Sequence, residues 1–275
     1  MNTVNGHRAR KPMDLERKEQ MLIDRLHELK SFGIACSGGV DSTLLVKAAR
    51  DNDIVDFCAC MADAPVFFPH ELERAREFCR QCRVKLFEID FDFFGQASIV
   101  KNDSSRCYHC KKAMFGNIRK LVQDKGYTYL IDGTNVSDVF DYRVGIEAAD
   151  ELGVISPLRE CGLEKEEIRQ LAKKYDIPFW NEPATACLAS RIPRGTVVTG
   201  DKVSTVLKGE LFLKDQGLAG ARLRHHGIIA RIEVREDDFT LFTKPEFRQR
   251  IAAGIRDLGF KYAALDVQGY RQGST

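Results

Sequence analysis

The chain has 275 residues, with 42 lysines and arginines against 40 aspartates and glutamates, and a formal net charge of +2 at pH 7. A chain of this length can bury a full core and is typical of two domains. The near balance of charge argues against partners such as nucleic acid or a membrane, because both favour a strongly basic surface. No apolar run is long enough to span a bilayer, and residues 1–11 lack the apolar core of a signal peptide, so we expect a cytoplasmic protein.

The apolar spacing predicts alternating helices and strands along the first part of the chain. Helices are expected over 13–30, 42–50, 69–82 and 110–124, and strands over 32–36, 54–60, 85–90 and 129–132. Such alternation favours an α/β fold, in which a mostly parallel sheet has helices on both faces. Ligands of these sheets bind beyond the carboxyl ends of the strands, where we expect Ser37, Asp63 and Gly133 to gather.

The pattern changes after a helix predicted over 164–175. Prolines and glycines interrupt residues 177–200, which are too broken for a regular element and too apolar for a tether, so we interpret them as an ordered active-site loop. Beyond them, a helix over 201–216, a hairpin of 221–224 and 230–234, a helix over 244–257 and a strand near 262–267 predict a small α+β domain with an antiparallel sheet. The predicted parts are therefore an α/β domain (1–176), the loop (177–200) and a C-terminal α+β domain (201–275).

The sequence Ser-Gly-Gly-Val-Asp-Ser at 37–42 directly follows the first predicted strand. Two adjacent glycines between a strand and a helix let backbone N–H groups approach an anion, because glycine has no Cβ and tolerates positive φ. The spacing differs from a Walker loop, which needs a lysine, and from the dinucleotide fingerprint. The alternative is an ordinary glycine turn with Asp41 or Ser42 as the helix N-cap. The run resembles the S-G-G-x-D-S motif of the PP-loop ATP pyrophosphatases, which implies cleavage of ATP to AMP and pyrophosphate.

Nine cysteines in a reducing compartment indicate packing, metal binding or catalysis rather than disulfide bonds. Cys107 and Cys110 form a C-x-x-C pair, and Cys187 lies in the loop 177–200. Two thiolates at this spacing can hold one metal centre, and a distant third would leave one corner of a cubane cluster open. Half of a zinc site is the alternative, although structural zinc needs four ligands. Cys79 and Cys82 lie in a predicted helix and have no assigned role.

Further motifs match one PP-loop family from the first strand to the C-terminus. They are Asp132-Gly133-Thr134-Asn135, Asp141-Tyr142-Arg143-x-Gly145, Cys187 with Ser190-Arg191-x-Pro193-x-Gly195-Thr196, Arg222-x-Arg224 with Ala230-Arg231-Ile232-Glu233, and Leu265-Asp266-x-x-Gly269-Tyr270-Arg271-x-Gly273. On these residues the chain resembles the LarE family of ATP-dependent sulfur transferases, which make the nickel-pincer nucleotide of lactate racemase and related enzymes. The resemblance implies a PP-loop (adenine nucleotide alpha hydrolase-like) fold. It also implies adenylation of a carboxylate of pyridinium-3,5-biscarboxylic acid mononucleotide, followed by sulfur delivery to give a thiocarboxylate.

The family uses two sulfur sources. One branch sacrifices the sulfur of a single cysteine, at the position of Cys187, and the other binds a 4Fe-4S cluster whose unique iron holds an extra sulfide. Because Cys107 and Cys110 accompany Cys187, this chain resembles the cluster branch. The single-cysteine branch has aromatic and small residues at those two positions, which argues against the alternative in which Cys187 alone is consumed.

The resemblance also implies roles for individual residues. It assigns ATP binding to Ser37, Gly38, Gly39, Asp41, Ser42 and Gly133, with Mg²⁺ bridging phosphate oxygens. It assigns the cluster and catalysis to Cys107, Cys110 and Cys187, with Asp41, and substrate or phosphate binding to Ser190, Arg191, Arg222, Arg224, Arg143, Glu210, Glu233 and Asp238. A solvated strand face paired with acids is the alternative for these arginines. The resemblance further implies a sulfide donor, a small-molecule nucleotide substrate and a homo-oligomer.

Three other functions fit parts of the pattern. A tRNA thiolase of the PP-loop group would use the same cluster chemistry, but such enzymes carry further zinc-binding cysteine pairs or basic RNA-binding domains. An amidating PP-loop enzyme would use ammonia and would need no set of three thiols. A non-catalytic nucleotide or metal sensor would bind its ligand without turning ATP over, so a variant of Asp41 would separate it from an enzyme.

Overall fold

The computed structural model describes residues 14–138, 143–182 and 185–271, with only the backbone of residues 143–144. Asp141, Tyr142 and Gly273 of the sequence motifs, and Pro183 of the predicted loop, therefore lie outside the described residues. No helix in the described ranges is long and apolar enough to cross a membrane.

A four-stranded parallel sheet forms the first part of the molecule. Its elements in chain order are α1 (Leu15–Leu29), β1 (Ser31–Ala35), α2 (Val40–Asp51), β2 (Asp56–Asp63), α3 (Pro69–Gln81), β3 (Leu86–Asp90), α4 (Ala97–Val100), α5 (Arg106–Asp124) and β4 (Tyr129–Ile131). The strand order is β3-β2-β1-β4, and all three pairings are parallel. Each strand is joined to the next through at least one helix, as parallel pairing requires.

Three more helices complete this part: α6 (Arg143–Glu151), α7 (Pro157–Glu160) and α8 (Lys165–Lys174). Ile155 forms a parallel bridge to Ile131 between α6 and α7 and so extends the sheet beyond β4. A capping box begins α8, since the side chains of Glu164 and Glu167 each accept a backbone N–H of the first turn.

Hydrophobic cores lie on both faces of the sheet. Alternate residues of β2 point to opposite sides: Cys58 and Cys60 pack in the cluster that contains Phe115 of α5, whereas Ala59 and Met61 pack in the cluster that contains Leu44 of α2. Burial on both faces is typical of parallel sheets. The predicted α/β class, with helices on both faces, is confirmed.

Residues 185–199 follow an irregular course around one short 3-10 helix, Leu188–Arg191. The side-chain amide of Asn102, which is fully buried, donates hydrogen bonds to the carbonyl oxygens of Pro193 at 2.9 Å and Thr196 at 2.9 Å. The backbone N–H of Leu188 donates to the carbonyl of Val66 at 2.8 Å. These bonds hold the segment against the carboxyl end of the parallel sheet.

The C-terminal part has a second, smaller sheet. Its elements are α9 (Gly200–Asp215), β5 (Arg222–His226), β6 (Ile229–Glu233), a 3-10 helix (Glu236–Thr243), α10 (Pro245–Asp257) and β7 (Tyr262–Leu265). The strand order is β5-β6-β7, with β5 antiparallel and β7 parallel to β6. The prediction of a wholly antiparallel sheet is therefore wrong for β7. The crossover through α10 brings the chain back to the same end of the sheet, so β7 runs parallel to β6.

Candidate active site

The phosphate loop, residues 37–42, connects β1 to α2. Gly38 has a φ of 76°, and a Cβ on this residue would lie 2.2 Å from the carbonyl oxygen of Glu71, so only glycine fits. Gly39 is the N-cap of α2 and has an ordinary φ of −80°. Its missing side chain instead leaves the backbone open, with Ser37 Oγ as the nearest atom at 3.4 Å from a Cβ placed there. The N-terminus of α2 is thus accessible to an anion.

Gly133, directly after β4, lies against this loop. A Cβ on Gly133 would approach the backbone nitrogen of Ser42 to 2.8 Å, so a larger residue would push the two segments apart. The neighbouring Asp132 is buried and accepts hydrogen bonds from the hydroxyl groups of Thr134 at 2.5 Å and Ser156 at 2.7 Å. Asp132 therefore fixes the turn that brings Gly133 to the phosphate loop.

A cavity of about 320 Å³ opens at this end of the sheet. Its lining includes Asp41 of the phosphate loop, Gly133 and the thiol-bearing residue Cys187. The other predicted ATP-binding residues in the lining are Ser37, Gly39 and Ser42. Asp63 is not among the lining residues, and its carboxylate instead accepts a bond from Arg76 at 3.0 Å. The cavity thus joins the phosphate loop to one of the three predicted cluster ligands.

Charged side chains line the polar part of the cavity. The ammonium group of Lys165 contacts both carboxylate oxygens of Asp41, at 2.5 and 2.7 Å. Burial raises the pKa of Asp138, as does the negative charge of Asp41, whereas the backbone N–H of Asn135 and the positive charge of Lys165 oppose this rise. The cavity therefore contains a cation that is already paired with the aspartate of the loop.

Arg74 of α3 connects the phosphate loop to the segment that leads to Cys187. Its Nε donates to the carbonyl oxygen of Gly38 at 2.8 Å, and its guanidinium pairs with Glu182. The same guanidinium lies over the ring of Phe179, 4.4 Å from the centroid. One side chain thus fixes the backbone of the loop and the approach to Cys187.

The three predicted cluster ligands come from two segments that Arg106 joins. Its guanidinium donates to the carbonyl of Ala189 at 2.9 Å and to the sulfur of Cys107 at 3.6 Å. Burial raises the pKa of Cys110 to about 12, and the negative charge of Cys187 and Cys107 adds to the rise. All three thiols are free, and each is partly accessible.

Among the described residues, no group of three or more histidine, cysteine, aspartate or glutamate side chains is arranged to hold a single metal ion. The ligands of a cubane cluster are spread more widely than those of one ion, because each thiolate binds a different iron. Cys107, Cys110 and Cys187 are three free, partly accessible thiols, which is the donor chemistry that such a cluster takes.

The predicted substrate-binding arginines form buried ion pairs. Arg191 is only 2% exposed and donates to Glu210 through Nε at 2.8 Å, and Arg224 donates to Glu233 at 2.9 and 3.0 Å. The alternative for these arginines was a solvent-exposed strand face paired with acidic residues. The acidic partners are present, but Arg191 and Arg224 are buried rather than exposed to solvent. Neither arginine lines the described cavity.

The same two arginines also donate hydrogen bonds to the backbone around Cys187. Arg191 donates to the carbonyl oxygens of Ala186 at 2.7 Å and Cys187 at 3.3 Å, and Arg224 donates to that of Ser190 at 2.9 Å.

The remaining residues predicted to bind substrate or phosphate have other surroundings. Arg222 lies over the ring of Tyr270 at 5.1 Å, Asp238 accepts a bond from Arg235 at 3.4 Å, and Arg143 begins α6, with its side chain outside the described part.

Comparison with known proteins gives the family. No protein-family model matches the chain. An uncharacterized protein of Synechocystis sp. is 35% identical over 94% of this chain and 97% of that protein. The pyridinium-3,5-bisthiocarboxylic acid mononucleotide synthase of Lactiplantibacillus plantarum is 31% identical over 94% of both chains. The chain belongs to the LarE family. An uncharacterized protein of Methanocaldococcus jannaschii is 28% identical over 88% of this LarE-family chain and 91% of that protein.

Four residues of this LarE-family site were not predicted from the sequence: Lys165, Lys111, Arg74 and Asn102. The first three line the cavity, and Asn102 holds the loop that carries Cys187. Lys165 had a detectable signal, since it begins a predicted helix on the side of the sheet where ligands are expected. Arg74 and Asn102 had none, because nothing in their local sequence distinguishes them from solvated residues.

Proposed function

We propose that the protein is an ATP-dependent sulfur transferase that adenylates a carboxylate of pyridinium-3,5-biscarboxylic acid mononucleotide and delivers sulfur to it. The observation that carries the proposal is the shared cavity, which Asp41 of the phosphate loop and Cys187 both line. The name of the Lactiplantibacillus plantarum relative, a synthase of the bisthiocarboxylic acid mononucleotide, supports the same substrate class.

The phosphate loop would serve the first step. Its backbone N–H groups, with the hydroxyl groups of Ser37 and Ser42, would bind the triphosphate, and Mg²⁺ would bind Asp41 and phosphate oxygens. A carboxylate oxygen of the substrate forms a bond to the α-phosphorus, and the bond from that phosphorus to the bridging oxygen breaks. The electron pair leaves with pyrophosphate. The acyl adenylate that results has AMP as its leaving group, which makes its carbonyl carbon open to attack.

The thiols would serve the second step. A 4Fe-4S cluster bound by Cys107, Cys110 and Cys187 would supply, when present, the soft sulfur that replaces AMP on the acyl carbon. Arg191 and Arg224 hold the backbone of Cys187 and Ser190, so they position the loop at which adenylate and sulfur meet. Glu210 and Glu233 in turn fix the two guanidinium groups. The partners of the reaction are then a small-molecule nucleotide and a sulfide donor.

A multiple-turnover assay tests the function. Anaerobically prepared protein receives Mg-ATP, sulfide and the biscarboxylate nucleotide, and we expect AMP, pyrophosphate and thiocarboxylate in equal amounts over many cycles. Mass spectrometry of the protein after turnover should show Cys187 intact. A single turnover that leaves Cys187 without its sulfur would show the sacrificial mechanism instead, and absence of thiocarboxylate would overturn sulfur transfer.

The cluster has a separate test. Anaerobic protein should contain iron, acid-labile sulfide and a broad visible absorbance, and each should be lost in Cys107→Ala, Cys110→Ala and Cys187→Ala. The control is Cys82→Ala, because Cys82 is also a partly accessible free thiol but lies at the end of α3. Iron content that is the same in all four variants would contradict the proposed ligand set.

A further inference from the structure

Lys165 and Asp41 form an ion pair inside the cavity. The two side chains are each 22% exposed, and both line the cavity with the phosphate loop. The pair joins distant parts of the chain, because Asp41 lies in the first turn of α2 and Lys165 is the first residue of α8. The backbone nitrogen of Lys165 is itself fixed by a hydrogen bond to the hydroxyl of Ser137 at 3.1 Å. The N-terminus of α8 therefore holds Lys165 in a position from which its ammonium group contacts Asp41.

This arrangement conflicts with a simple metal-binding role for Asp41. Lys165 contacts both oxygens of the carboxylate, at 2.5 and 2.7 Å. Mg²⁺ takes carboxylate oxygens as ligands, so the ammonium group and the metal ion compete for the same atoms. The cation that is displaced would remain in a cavity into which the nucleotide brings several negative charges.

We propose that Lys165 is a catalytic residue that leaves Asp41 for the phosphates when Mg-ATP binds. The inference rests on the proposed use of ATP. In the free protein Lys165 neutralises Asp41, and in the complex Mg²⁺ takes the carboxylate while Lys165 binds phosphate oxygens as a point charge. During adenylation negative charge accumulates on the departing pyrophosphate, and the ammonium group offsets that charge.

The proposed exchange of partners at Asp41 can be tested by metal binding alone, without substrate or sulfide. In the nucleotide-free protein, Lys165→Gln frees the carboxylate of Asp41, so this variant should bind Mn²⁺ about fivefold more tightly than the wild type, the upper end of the scale for a partly exposed ion pair. The double variant Asp41→Asn, Lys165→Gln should lose that gain. Titration of free Mn²⁺ by electron paramagnetic resonance measures both. Equal affinities in wild type and Lys165→Gln would overturn the exchange.

Turnover supplies the second readout. Lys165→Gln should release pyrophosphate about 100-fold more slowly than the wild type, the usual scale for loss of one group that stabilises transition-state charge, and Lys165→Arg should keep part of the rate. Wild-type rates in both variants would overturn the catalytic role.

The matched control is Lys18→Gln. Lys18 of α1 pairs at 2.7 Å with Glu167 of α8, the helix that begins at Lys165, and Lys18 does not line the cavity. The variant's Mn²⁺ affinity and its rate of pyrophosphate release should therefore stay at wild-type values. The failure of this inference is distinguishable from the failure of the proposed function. If wild-type protein binds Mg-ATP and makes thiocarboxylate while Lys165→Gln matches it, only the inference fails. If the wild type never consumes ATP, the function fails.

Discussion

Gly38 has the most constrained backbone of the phosphate loop, and it gives a test of that loop. Gly38→Ala would require an L-residue at a φ of 76° and a Cβ 2.2 Å from a backbone oxygen of α3. We expect a loss of about 2–4 kcal/mol in the free energy of unfolding, from backbone strain and overpacking together, with a loss of ATP binding. Urea denaturation and calorimetric titration with Mg-ATP measure the two effects.

Gly217→Ala is the control for Gly38. Gly217 has a φ of 89°, but a Cβ there would meet no atom within 4 Å, so the change tests positive φ without the steric contact. We expect it to destabilise by about 1 kcal/mol and to leave ATP binding unchanged. Equal losses in the two variants would mean that the contact of Gly38 with α3 has no effect.

The thiol of Cys110 gives a prediction about pH. Burial raises its pKa to about 12, with the charge of Cys187 and Cys107 adding to the shift, whereas an unfolded cysteine titrates near pH 8.5. At pH 8.5, iodoacetamide should therefore alkylate Cys110 of metal-free folded protein at least about 100-fold more slowly than in urea, since only the thiolate reacts. Peptide mass spectrometry gives the rates. Labelling at the unfolded rate would contradict the raised pKa.

The raised pKa of Cys110 also makes the free energy of unfolding depend on pH. Below pH 8.5 both the folded and the unfolded chain keep the proton of Cys110, so the thiol adds no pH dependence. Between pH 8.5 and about 12 the unfolded chain loses the proton that the folded chain retains, so the folded state loses stability as pH rises. Cys110→Ala should reduce that loss.

At the scale of single residues, the sequence predicts those site residues that are neighbours in the chain. Ser37, Gly39 and Asp41 are neighbours in the chain, and their spacing alone indicated a phosphate loop. Lys165 and Arg74 reach the same cavity from other helices, so their roles depend on packing that no local pattern records. The burial of the Arg191 guanidinium against Glu210 is likewise a property of packing, which the motif that contains Arg191 does not show.

At the scale of elements, one side chain holds the loop of Cys187. Asn102 follows α4, has a φ of 60°, and donates its side-chain amide to three carbonyl oxygens of residues 192–196. Asn102→Gly tolerates this backbone but removes the amide. We expect a loss of about 2–3 kcal/mol, because buried carbonyl groups lose their donors, and faster proteolysis within residues 185–199. Urea denaturation and limited trypsin digestion measure these effects.

Asn52→Gly is the matched control for Asn102. Asn52 is the C-cap of α2, and its amide donates to one helix carbonyl, that of Ala48, at 2.9 Å. It should destabilise by less than Asn102→Gly and leave the digestion pattern of residues 185–199 unchanged. If both variants expose that segment equally, Asn102 has no special role in holding it.

Element types were more predictable than their pairing. The four strands and the long helices α1, α2, α3, α5 and α8 follow from apolar periodicity, and their observed bounds lie within a few residues of those expected. Helix α6 (Arg143–Glu151) was not predicted. The short helices Ala97–Val100 and Pro157–Glu160 are only four residues long, too short for a periodic signal. The direction of β7 depends on where α10 crosses the second sheet, which is a tertiary property.

At the scale of the whole molecule, the two sheets share a core. One buried cluster contains Phe115 and Ile118 below the parallel sheet, Leu188 of the loop, and Leu213 and Ile255 of the C-terminal helices. Polar contacts continue the connection, since Arg191 in the loop pairs with Glu210 of α9. The three sequence segments therefore pack around one continuous interior. Composition alone could not show this, because it predicts how much surface is buried and not which parts bury it together.

The fixed backbone around Cys187 determines which reactant must travel. The N–H of Leu188 is bonded to Val66, and Arg191 holds the carbonyl of Cys187, so the backbone that carries this thiol is fixed on both sides of the residue. Because Cys187 lines the cavity, a molecule that reacts with its thiol has to enter the cavity. Under the proposed function, a nucleotide bound there would shield the thiol from oxidants and water until the acyl adenylate lies beside it.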